Sequence, residues 1–106
     1  GHVWIAIGQC GDGSVVLTHS SPNTGVQISG SMLPGKEEKT TQSYEVAEYA
    51  MAKYFPKCHG IYATRECALD YRTGNLMHWD LEHGVLTDPD GFAKMGPKEI
   101  IDAVLG

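Results

Sequence analysis

Three short runs of β-branched and aromatic residues, crowded into the first thirty positions, constrain this chain more than any other feature. His2-Val3-Trp4-Ile5-Ala6-Ile7 is the first, closed by Gly8. Such residues suit a pleated, half-buried surface. Cys10-Gly11-Asp12-Gly13 is a turn signal, its glycines free to take positive φ. Ser14 to His19 reads as a second strand and Gly25-Val26-Gln27-Ile28-Ser29 as a third, joined through the turn-prone Ser20-Ser21-Pro22-Asn23-Thr24. Three strands with connections this short imply an antiparallel meander. Alternation puts His2, Trp4 and Ala6 on one face of the first strand and Val3, Ile5 and Ile7 on the other. Apolar residues on both faces imply burial on both sides at its middle.

Beyond the strands, 30 to 41 is a polar connection containing Pro34-Gly35. A helix is expected from Ser43, as N-cap, to Phe55. Glu45 in its first turn complements the dipole, and Val46, Ala47, Ala50, Met51, Tyr54 and Phe55 form an apolar stripe. Pro56 ends it. Between Lys57 and Asp80 the signals are mixed, with Met77-His78-Trp79-Asp80-Leu81 resembling a short strand. Asp88-Pro89-Asp90-Gly91 is a β-turn signature, and Pro97 opens a terminal helix with Ile100, Ile101, Val104 and Leu105 on its docking side. The expected architecture is α+β: one domain over 1–106, a small antiparallel sheet with helices packed against it.

Charge narrows the partners. Eight basic against thirteen acidic residues give a formal charge of −5, with no basic cluster, which argues against nucleic acid. No apolar run approaches the roughly 20 residues a membrane-spanning helix requires, and no export signal stands in the chain. Cys10, Cys58 and Cys67 cannot all pair with one another; a Cys58–Cys67 disulfide and three free thiols both fit the count.

His2 and His19 are the residues best suited to chemistry. In an antiparallel pair the start of the first strand lies beside the end of the second, so the two imidazoles are expected at one edge of the sheet. One could serve as a general base and the other could orient it. His78-Trp79-Asp80-Leu81-Glu82-His83, with Cys58, His59 and Cys67, supplies zinc-type ligands but matches no compact metal motif. Asp80, Asp88 and Asp90 follow no calcium-loop pattern. No metal or other cofactor is expected.

The stretch Gly1-His2-Val3-Trp4-Ile5-Ala6-Ile7-Gly8, followed by Val15-Val16-Leu17-Thr18-His19-Ser20-Ser21 and Gly25-Val26-Gln27-Ile28-Ser29-Gly30, resembles the second half of an NlpC/P60 domain. These are papain-like cysteine peptidases, most of which cut peptidoglycan stem peptides in the bacterial cell wall. In the family a Gly-His-Val strand carries the catalytic histidine and the next strand ends in a polar residue that orients it. The resemblance implies His2 as base and His19 as its orienting partner. It covers 1–30 and treats the remainder as a C-terminal extension. It further implies the β-rich half of a papain-like fold, a peptidoglycan peptide as substrate, and a secreted or cell-envelope location.

The family's nucleophilic cysteine precedes the histidine by many tens of residues, at a helix N-terminus that lowers its pKa. The resemblance therefore implies a thiol upstream of Gly1, from a missing N-terminal segment or a partner chain. A permuted order would call on Cys58 or Cys67 instead. Cys67 could begin a short helix but has Glu66 beside it, whereas Cys58, after Pro56, falls at a helix end that disfavours a thiolate. Cys10, in the first hairpin turn, lies more than about 20 Å along the strand from His2. A non-catalytic module that binds cell-wall peptides or another protein is the alternative from a different class.

Overall fold

The computed structural model describes residues 4–23, 25–67 and 88–106 of the chain. Strands β1 (Ile5–Gln9), β2 (Val15–Ser21) and β3 (Gly25–Ser31) form the expected antiparallel meander. Helix α1 (Gln42–Tyr54) follows, then a short α2 (Pro56–Ile61) and a two-residue strand β4 (Glu66–Cys67). A 3₁₀ turn at Phe92–Lys94 precedes the terminal helix α3 (Pro97–Leu105). The protein is thus α+β, but the sheet is mixed rather than antiparallel. Its order is β1-β2-β3-β4, and β4 runs parallel to β3, pairing Gly30 with Glu66 and Ser31 with Cys67.

The first hairpin turns where its glycines allow. Gly13, at φ 91°, donates to the Cys10 carbonyl, and Cys10 N–H donates to Ser14 O at 2.8 Å. A β-bulge between Ala6 and Gly8 adds one residue to β1. Gly8, at the bulge, faces Pro97, whose ring would sit 3.3 Å from a Cβ, and that absence of a side chain lets α3 lie on the strand. Burial on both faces of β1 is not observed at its start. Ile5 is 64% exposed: β1 is the outermost strand among the described residues, and α3 approaches it at Gly8.

Val16 and Ile28 on one sheet face pack with Ala47, Ala50 and Met51 of α1 and Ile101 of α3. The alanines leave room for close approach, and the tightest point is Gly30 against the backbone of Ser43 and Tyr44. The Ile28 N–H donates to the Met51 sulfur at 3.3 Å. On α3 only part of the expected docking face is covered: Ile101 is buried, while Val104 is 61% exposed.

The N-cap of α1 is Thr41, not Ser43. Thr41 Oγ1 accepts from Tyr44 N–H at 3.2 Å. Ser43 lies inside the helix because its hydroxyl is committed to the sheet, accepting from Ser31 N–H at 3.0 Å and donating to Ser31 O at 3.2 Å. Asp12 reaches the same helix start from the hairpin turn. One of its oxygens accepts from Gln42 N–H at 2.8 Å, and the other from Ser14 N–H at 2.9 Å and the Ser14 hydroxyl at 2.5 Å.

Candidate active-site strand edge

His19 stands near the end of β2, half-buried, with the Trp4 indole against it at 3.8 Å between ring centroids and 42° between planes. Trp4 leads directly into β1, so the start of the first strand and the end of the second meet here. His19 pairs in register with Gln27 of β3. Because Val16 and Ile28 face α1, alternation directs Leu17, His19, Gln27 and Ser29 to the opposite face of the sheet. His2, the other residue of the expected pair, lies outside the described residues.

The three cysteines are free thiols in separate places. Cys10 sits in the first hairpin turn. Burial pushes its thiol up, the Asp12 carboxylate adds to the rise, and the Ser14 hydroxyl only partly opposes it. Cys67 is itself a strand residue. It belongs to β4, paired beside Ser31, its carbonyl accepting from Met32 N–H at 2.9 Å. Burial pushes the Cys67 thiol up too, against smaller opposing effects of the Ser29 hydroxyl and Arg65; Glu66 adds the least. Neither thiol is tuned toward a thiolate.

Cys58 stands in a different setting. Pro56 ends α1 but also starts α2, since its fixed φ suits a first helical position and its missing N–H would have had no partner there. Cys58 therefore occupies the first turn of a helix, not a helix end. It packs against the β2–β3 turn, where a Cβ on Gly25 would come within 2.9 Å of its sulfur.

Among the zinc-type residues, His59 faces Glu48 with Nε2 2.8 Å from Oε1. The Thr64 hydroxyl, with the His59 ring and Lys39 beside it, holds the Glu48 carboxyl below its ordinary value despite partial burial. Glu48 links α1 to α2 in this way and was not singled out from sequence. Among the described residues no group of three or more His, Cys, Asp or Glu could hold a metal ion. The strand expected at 77–81 and the residues His78, Asp80, Glu82 and His83 lie outside the described residues. Asp88 caps the 3₁₀ turn, its carboxylate accepting from Phe92 and Ala93 N–H groups at 2.9 and 3.0 Å. No helix among the described residues is long and apolar enough to cross a membrane.

In comparisons with known proteins, no family model, no curated protein and no solved structure matches the chain. The class defined by the fold is α+β, with a mixed sheet of four strands among the described residues.

Proposed function

We propose that this chain is the histidine-bearing part of a papain-like cysteine hydrolase of the NlpC/P60 kind, acting on peptidoglycan stem peptides outside the cytoplasm. The observation that carries the reading is the meeting of Trp4 and His19 at one edge of the meander, two residues from His2 in sequence. In the proposed reaction a thiolate attacks the amide carbonyl, and His2 delivers a proton to the departing amine as the C–N bond breaks. Water, deprotonated by His2, then cleaves the thioester. His19 orients His2 through its ring.

The attacking thiol is proposed to come from a segment N-terminal to Gly1 or from a partner chain. In support, the Cys10 and Cys67 thiols are pushed up rather than down. The same two thiols also favour the second reading, a non-catalytic module for cell-wall peptides or a protein partner. Incubating the natural full-length protein with purified peptidoglycan, with and without His2→Ala, separates the two. Release of new amino groups that His2→Ala abolishes supports hydrolysis; binding with no His2-dependent release supports the module. His2-dependent cleavage by the 106 residues alone would overturn the external thiol and return attention to Cys58.

A further inference from the structure

Gln27 is a buried side chain whose carboxamide makes no hydrogen bond among the described residues. It is 1% exposed, and neither its Nε2 nor its Oε1 has a hydrogen-bond partner among the described residues. A buried carboxamide without partners is unfavourable, and methionine or leucine would fill a similar volume without that cost. Buried polar groups that stay unpaired call for an explanation, and one available here is a role that the resting arrangement does not display.

The neighbour across the ladder is His19, on the same face. Facing residues of an antiparallel pair hold their Cβ atoms about 4.5–5.5 Å apart, well within reach of a glutamine and an imidazole. On its other side the His19 ring meets Trp4. Neither of these two neighbours carries a charge. An imidazole changes its hydrogen-bonding pattern when it gains or loses a proton, from one donor and one acceptor to two donors. A carboxamide can answer both states by rotating its terminal torsion, offering Oε1 to an N–H or Nε2 to a bare ring nitrogen. A carboxylate, a hydroxyl or an apolar side chain at position 27 would not combine that reach with that neutrality.

We infer that Gln27 is a positioning residue for His19: its carboxamide takes up a hydrogen bond with the imidazole as that ring moves between protonation states. The inference rests on reading His19 as part of a working site and deepens that reading. The experiment is a pH titration of the natural full-length protein by histidine-selective nuclear magnetic resonance, which reports ring tautomer and titration midpoint directly.

Gln27→Met, which keeps volume and removes both polar atoms, is expected to change the His19 tautomer ratio and move its midpoint by about 0.5 unit or more, with the other histidines unmoved. Gln27→Glu is expected to raise the midpoint by about one unit through the adjacent carboxylate. A folded Gln27→Met protein whose His19 tautomer and midpoint equal the wild type would overturn the inference. If Gln27→Met does not fold, Gln27→Asn, one methylene shorter, is judged by the same criterion. The hydrolysis reading fails on a different observable, amino-group release by His2→Ala, so the two failures are distinguishable.

Discussion

Replacing Gly30 by alanine tests how α1 is seated on the sheet. A Cβ there would stand 2.7 Å from Tyr44 Cα and 2.8 Å from Ser43 C, and would meet the Tyr44 nitrogen as well. All three atoms are backbone, so no side-chain rotation relieves the clash, and the first turn of α1 must lift from β3. Overpacking of this kind costs about 1–3 kcal/mol. Lifting the turn also strains three hydrogen bonds: Ser31 N–H to Ser43 Oγ at 3.0 Å, Ser43 Oγ–H to Ser31 O at 3.2 Å, and Ser43 N–H to Ser14 Oγ at 3.0 Å. Each contributes roughly 1 kcal/mol net. Partial loss of the three on top of the clash gives an expected destabilisation of about 3–5 kcal/mol, against a total of roughly 5–15 kcal/mol for a typical domain. Urea unfolding followed by circular dichroism measures it. Gly60→Ala is the control: it lies within α2, nothing stands within 4 Å of the added Cβ, and a stabilisation of about 0.4–1 kcal/mol is expected. A Gly30→Ala protein within about 1 kcal/mol of wild type, with unchanged cooperativity, would refute this account of the seat.

Acid should loosen the same helix start. Burial pushes the Asp12 carboxyl up, but the N–H of Gln42 and the two groups of Ser14 outweigh it and hold the carboxyl below its ordinary value. A depressed folded-state pKa contributes stability above the unfolded value, near 3.9, that is lost as pH falls through the folded value. Asp12→Asn is therefore expected to lower stability at pH 7 and to flatten the acid limb of stability against pH below about 4, read by urea midpoints; an unchanged acid limb would remove Asp12 from the account. Thr41→Ala removes the cap on Tyr44 N–H and is expected to cost about 1 kcal/mol by the same assay; a Thr41→Ala protein as stable as wild type would take the cap away from Thr41. In thiol labelling of the native protein at neutral pH, buried Cys67 should react only as fast as the chain unfolds; labelling at the rate of a free thiol would contradict its place in β4.

The meander was legible because its turns are punctuated by glycine and by Ser-Pro-Asn, and because β-branched residues alternate between them. The stripe on α1 was legible for the analogous reason, its period. What stayed hidden depends on partners distant in sequence. Glu66 and Cys67 carry no strand signal, since two residues become a strand only when β3 supplies the ladder. Pro56 reads as a stop and is also a start, which reversed the setting of Cys58. Thr41 and Ser43 are both plausible caps by type, and the choice fell to the Ser31 backbone that engages Ser43. The bulge at Ala6–Gly8 coincides with the approach of Pro97 to Gly8, far off in sequence, and no local pattern announces such a contact. Gln27 had a local sign that went unread: with Ser29 and His19 it makes one sheet face polar while Val26 and Ile28 mark the other.

The central claim is that the Trp4–His19 edge belongs to a hydrolytic site with His2 as its base. The most direct measurement is the rate of amino-group release from purified peptidoglycan by the natural full-length protein, compared with its His2→Ala and His19→Ala variants at matched folding by circular dichroism. The account expects His2→Ala to lower the rate by about 100-fold or more, and His19→Ala to lower it less. Release that persists at the wild-type rate in a folded His2→Ala protein would contradict it.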